Sequence, residues 1–134
     1  DGLHQMAGSK HVMELHGSVH RNYCMKCHDH SYSARDILES QGIPRCACGG
    51  MIKPDVVLYE EGLDQDTIRD AIRTIARAQM IIVGGTSLAV YPAAGLLDYF
   101  QGEALINKGA TPQDKNADLL IQKPIGQVLD QIHI

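Results

Sequence analysis

Four cysteines in two close pairs constrain this chain more than any other feature of its sequence. Cys24 and Cys27 form a C-x-x-C pair, and after residues 28–45 come Cys46 and Cys48 as a C-x-C pair. Two close pairs at this separation match a four-cysteine zinc ribbon, with the second pair one residue tighter than the usual spacing. Each pair can grip one side of a tetrahedral ion, and Gly49-Gly50 allows the tight turn that brings the second pair round. Four thiolates leave zinc no open position, so such a metal is structural. His20, His28 and His30 lie nearby and offer a mixed ligand set, against which four cysteines are preferred. Unrelated core cysteines are the other reading, but random placement rarely pairs every cysteine a chain has. Disulfides are disfavoured in a reducing compartment.

The 134 residues are 44% hydrophobic, enough for one compact core with a small satellite module. A net charge of -4, a pI near 5.9 and scattered lysines and arginines give no basic footprint for nucleic acid. No run approaches the roughly 20 apolar residues that span a bilayer, and the N-terminus shows no secretory signal. The expectation is a soluble, cytoplasmic protein without a nucleic-acid or membrane partner. A start at Asp1 rather than Met suggests a fragment or a processed product.

Residues 1–19 read as a Gly- and His-rich lead-in, and about 20–52 as the cysteine module. From Asp55 onward short apolar runs alternate with helical patterns. Val56–Tyr59, Met80–Val83, Ala104–Ile106 and Leu119–Ile121 read as short buried strands, which implies a parallel α/β sheet. Between the first two, Ile68, Ala71, Ile72, Ile75 and Ala76 share one helical face, with Asp64 able to cap it. Pro92 can open a second helix that runs through Phe100 and stops at Gly102, and Pro124 can open a third. Such a set of elements covers only part of a doubly wound sheet.

Two further features suggest chemistry. His16 ends the short alternating run Val12–His16 directly before Gly17, which places an imidazole at a strand terminus. A group with an ordinary pKa around 6.5 suits general-base work near neutral pH, although most histidines in polar stretches are simply solvated. Gly84-Gly85-Thr86-Ser87 is a small-residue turn after the Met80–Val83 run, where α/β sheets bind ligands. Its amides could approach a phosphate or ribose. It lacks the full G-x-G-x-x-G fingerprint, and a plain strand-to-helix turn reads much the same.

Taken in order, these pieces resemble the sirtuin family. Asp1-Gly2-Leu3-His4 with Ala7-Gly8-Ser9 is similar to the end of its T-Q-N-I-D-x-L-H stretch, and Glu14-Leu15-His16-Gly17 to its catalytic-histidine motif. The paired cysteines follow. Residues 54–61, Pro54 to Glu61, resemble P-x-x-V-F-F-G-E, and Gly85-Thr86-Ser87-Leu88 with Val90 and Pro92 resembles G-T-S-L-x-V-x-P. Ile106-Asn107 and Ala117-Asp118 complete the order. The likeness spans essentially the whole chain but not the family's N-terminal half, which carries the glycine-rich loop for the NAD phosphates. Glu60 stands where the family has glycine and Leu58 where it has an aromatic; Tyr59 adds a hydroxyl.

The resemblance implies a Rossmann-like NAD-binding domain, here residues 1–19 and 53–134 in part, with a zinc module inserted at 20–52. It implies an NAD-dependent protein-lysine deacetylase, in which the acyl oxygen attacks the NAD ribose, nicotinamide leaves, and the acyl group passes to ADP-ribose. His16 would be the base. Asp1, Gly85, Thr86, Ser87, Asn107, Lys108 and Lys123 would contact NAD, and Val56, Val57 and Tyr59 the acyl-lysine peptide. Cys24, Cys27, Cys46 and Cys48 would hold the zinc. ADP-ribosyl transfer from the same site, or a zinc-ribbon interaction module without activity, are the competing implications. The missing half would be the chain's first partner, and without it this piece would be inactive.

Overall fold

The computed structural model describes residues 1–101, 105–106 and 108–132. Gly102, Ala104 and Asn107 lie outside the described residues. The chain divides into two compact units, Asp1–Thr67 and Ile68–Ile134.

The first unit is built on an antiparallel pair, β1 (Gly17–Cys24) with β2 (Ile52–Val56), preceded by a short helix α1 (Leu3–Met6). The register runs from Gly17 opposite Val56 to Cys24 opposite Ile52. It breaks between Ser18, opposite Asp55, and Asn22, opposite Pro54. Residues 19–21 therefore bulge out of the ladder. Pro54 falls at that break, where a residue with no N–H costs the ladder least. Asn22 closes the bulge from inside: it is 1% exposed, and its amide reaches the Val19 carbonyl at 3.3 Å.

Residues 25–51 connect the two strands and carry helix α2 (Ala34–Leu38). A capping box starts this helix, with the Ser33 hydroxyl accepting from the Asp36 amide and the Asp36 carboxylate accepting from the Ser33 amide at 2.7 Å. Cys24, Cys46 and Ile52 form the buried core here, with Tyr32 and Ile37 packed against them.

Two readings are corrected in this unit. The run Val12–His16 is not a strand. Gly17 donates back to the Glu14 carbonyl at 2.9 Å, so His16 sits in a turn and the strand starts after it. The run Val56–Tyr59 is not a parallel strand either. Its strand is Ile52–Val56, antiparallel to β1, and it ends where the Glu61 carboxylate accepts from the Leu58 amide and folds the chain into a turn.

In the second unit, helix α3 (Gln65–Arg77) enters from the first. Asp64 caps it as expected, accepting from the Asp66 and Thr67 amides, each at 3.2 Å. Ala71 is buried with Ile68, Ile72 and Ile75 half-buried beside it, whereas Ala76 is exposed. The segment after Pro92 is a 3-10 helix, Ala93–Tyr99, rather than an α-helix. Strands β3 (Leu105–Ile106) and β4 (Leu120–Ile121) pair in parallel, and helix α4 (Ile125–Leu129) follows Pro124. Met80–Val83 forms no named strand; only Val83 occupies a bridge position, and Met80 and Ile82 are exposed. An extended apolar run becomes a strand only where a neighbour supplies ladder bonds.

Candidate metal centre and catalytic histidine

The four cysteines converge. Their sulfurs all lie within 4.8 Å of one another, with Cys24–Cys48 at 3.5 Å and Cys27–Cys46 at 3.6 Å. Cys24 closes β1, Cys27 follows in a tight turn, and Cys46 and Cys48 arrive on the loop leading to β2. Backbone amides point at the sulfurs: those of Lys26 and Cys27 at Cys24 (3.4 and 3.5 Å), and that of Cys48 at Cys46 (3.5 Å). Donors so placed stabilise thiolates. Gly49 has a φ of 81°, and Gly50 packs so tightly that a Cβ there would lie 2.6 Å from the Cys24 sulfur.

The thiols respond unequally to this crowding. The amide of Cys27 draws the Cys24 thiol down, and the Tyr32 hydroxyl, with the Cys48 amide, draws Cys46 down to about 6. The Asp29 amide also lowers Cys27, but the sulfurs of Cys48, Cys24 and Cys46 prevail and push it up to about 12. Four sulfurs this close cannot all carry charge unless a cation sits among them. The donor set, all sulfur and tetrahedral in number, suits zinc and leaves it no position for substrate. His28 and His30 are not in the cluster: His28 is exposed, and His30 stacks on Tyr23 with ring centroids 5.4 Å apart.

His16 is exposed, and its backbone is fixed, because its carbonyl accepts from the Val57 amide at 3.0 Å. The turn that holds it is thereby tied to the end of β2, where Val56 and Val57 are half-buried. Tyr59 follows, fully exposed, and Glu60 takes a left-handed φ of 69°. Lys53 braces this stretch from below, donating to the Val56 carbonyl and to Glu61, each at 2.9 Å. The carboxylate of Asp1 accepts from the Val19 amide at 3.0 Å, in the bulge of β1.

In the second unit, Gly85 has a φ of 68° with open space where a Cβ would stand. The Thr86 hydroxyl accepts from the Leu88 amide at 3.2 Å, so it already serves its own turn, and Ser87 is exposed. Lys108 and Lys123 are exposed, and Asn107 lies outside the described residues. Sequence reasoning missed Arg21, which pairs with both Glu14 and Asp55. Opposite charges in sequence are common, and only the folded chain shows that these three meet.

Comparison with known proteins gives this arrangement its context. The NAD-dependent protein deacetylase of Clostridium perfringens is 60% identical over 98% of this chain, and that of Clostridium acetobutylicum is 57% identical over the same share. Each match covers 55% of the relative, so the chain spans about half the length of the curated relatives it matches. A solved structure described as Sir2 with p53 peptide and NAD+ superposes with a TM-score of 0.88 at 39% identity, over 97% of this chain and 57% of its own. That likeness gives the Rossmann-like fold expected from the sequence, and the clustered cysteines give the expected candidate zinc site. The Sir2 family model matches residues 1–92, a stretch that holds the His16 turn, all four converging cysteines and the Gly85–Ser87 turn, and the chain belongs to the Sir2 family.

Proposed function

We propose that the protein is an NAD-dependent protein-lysine deacetylase, of which these residues provide the base, the zinc module and part of the NAD site. The observation that carries this reading is the His16–Val57 backbone bond, which ties an exposed histidine to the strand end that resembles the family's acyl-lysine segment. Relatives at 57–60% identity are named as enzymes of this kind.

In this reading an acyl-lysine peptide adds as an extended strand along Val56 and Val57 and bonds through its main chain, which tolerates many sequences. Tyr59, exposed just past the strand end, would be a further contact for that substrate. Bound NAD would supply a ribose carbon for the acyl oxygen to attack, with nicotinamide as the leaving group, and the acyl group would pass to ADP-ribose as the lysine is freed. His16 takes the proton of a ribose hydroxyl, and Asp1 orients the nicotinamide carboxamide. The family resemblance assigns Gly85, Thr86 and Ser87 to the ribose and phosphates, and Asn107, Lys108 and Lys123 to the adenosine part. The open space and positive φ at Gly85 fit a close backbone approach. One glycine turn is a partial cradle for a pyrophosphate, so activity requires the further length the relatives have. Zinc on Cys24, Cys27, Cys46 and Cys48 holds the module together without entering the reaction. Among the described residues no helix is long and apolar enough to cross a membrane, and cysteines gathered as metal ligands rather than paired as disulfides suit the reducing cytoplasm.

The test is the full-length protein assayed on an acetyl-lysine peptide for nicotinamide and O-acetyl-ADP-ribose. His16→Ala should lower turnover about 100- to 10,000-fold while its unfolding midpoint stays put, because the ring is exposed. Near-normal turnover in that variant would reject His16 as the base, and ADP-ribosylated acceptor in place of O-acetyl-ADP-ribose would favour the transferase.

A further inference from the structure

Arg21 sits in the bulge of β1, where its Nε donates to Asp55 Oδ2 at 3.0 Å and its Nη1 to Glu14 Oε2. Glu14 lies just before His16 in the turn, and Asp55 lies just before Val57 at the end of β2. The His16 carbonyl and the Val57 amide are themselves bonded. A ring of contacts therefore closes: along the turn from Glu14 to His16, across to Val57, back along β2 to Asp55, and through one guanidinium to Glu14. We propose that Arg21 is a positioning residue, whose fork across Glu14 and Asp55 holds the His16 turn in one register against the strand end where the peptide adds.

The geometry separates this role from that of an ordinary surface ion pair. Exposed pairs contribute little to stability, and Arg21 is half exposed. Its two partners come from different segments, however, and the Glu14 side chain is only 15% exposed. A planar fork serves two carboxylates at fixed positions in a way a lysine point charge cannot. The bulge is what makes this possible, since it lifts Arg21 out of the ladder and aims it across both segments. The loss of the fork should thus loosen geometry more than it lowers stability.

The proposal rests on the reading of His16 as the base, and the experiment keeps the two apart. Full-length protein carrying Arg21→Ala, Arg21→Lys or Asp55→Asn is compared with wild type for zinc content, unfolding midpoint, hydrogen exchange at the Val57 amide, and kcat, KM and the kcat pH profile on an acetyl-lysine peptide. Arg21→Ala should keep its zinc and its midpoint, exchange the Val57 amide at least tenfold faster, and lose about 10- to 100-fold in kcat, the penalty of a misplaced group. Arg21→Lys should recover part of each effect. Wild-type exchange at Val57 in Arg21→Ala overturns the proposal, as does loss of zinc and midpoint in both arginine variants, which would make the residue a folding element. If wild type itself fails to deacetylate but Arg21→Ala still frees the Val57 amide, the clamp stands and the deacetylase reading falls.

Discussion

A Cβ on Gly17 would stand 1.9 Å from the carbonyl oxygen of Asp55, closer than any packed pair of atoms allows. Gly17 also has a φ of 75°, in the left-handed region. Gly17→Ala therefore meets two penalties, one from its backbone conformation and one from the opposing strand. The expected loss is about 2–5 kcal/mol, read from urea unfolding. A wild-type midpoint in this variant would mean that β1 and β2 part here at no cost.

Gly49 and Gly50 should behave differently although they are neighbours. A Cβ at Gly50 meets the Cys24 sulfur at 2.6 Å and the Lys26 Cβ at 2.7 Å, whereas one at Gly49 meets nothing within 4 Å. Gly50→Ala should displace a ligand and weaken zinc at least tenfold in competition with a chelator, comparable to the loss of a supporting contact. Gly49→Ala should cost only its left-handed conformation, about 1 kcal/mol, with zinc affinity kept. Equal zinc affinities in the two variants would refute this assignment.

Acid should dissolve the brace under the Leu58–Glu61 turn. The Leu58 amide first, and then Lys53, hold the Glu61 carboxyl below its ordinary value of 4.5. The unfolded chain takes up this proton at a higher pH than the folded one. The stabilisation is therefore complete above the ordinary value and fades as pH falls through the lowered one. Wild type should exceed Glu61→Gln in stability by a constant margin near neutral pH, and the margin should start to narrow as pH falls past 4.5 and close as it passes through the lowered value. A margin that widened on acidification would reverse the sign and reject the account.

Glu60 occupies its left-handed φ of 69° with no glycine to ease it. Glu60→Gly removes that strain but frees the unfolded chain, so the net gain is small, up to about 1 kcal/mol. Thermal unfolding of the two proteins decides; a destabilised glycine variant would mean that the glutamate side chain holds the turn.

The Asp64 cap and the helices after Asp64 and Pro124 were legible because each depends on residues close in sequence, and the cysteine cluster because each of its two pairs is a local signature that marks a metal ligand set whatever the length between them. Strand β1 was not. Its buried positions are Ser18, Asn22 and Cys24, two of them polar, and its bulge breaks the alternation that marks a strand. With β1 so disguised, the cleaner alternation of Val12–His16 suggests a strand ending at His16, where the chain in fact turns. The Arg21 clamp was invisible for a related reason. Asp55 lies far from Arg21 along the chain and comes beside it only through the pairing of β1 with β2, while Glu14, nearer in sequence, reaches it only because the chain turns at His16. The Met80–Val83 run carried a strand's composition, but composition does not provide a neighbour to pair with.

Residues 25–51 amount to the connection of a hairpin, since β1 ends at Cys24 and β2 begins at Ile52. Long connections leave the pairing of their strands weakly determined, and closing this one is an entropic cost that an ion shared by Cys24 and the Cys46 loop would remove. Seen this way the metal acts as a knot tied at one end of a ribbon, and the His16 turn is the ribbon's other end. Untying the knot would let the strands slip against each other, and a slip of one residue would turn every side chain at the far end to the opposite face.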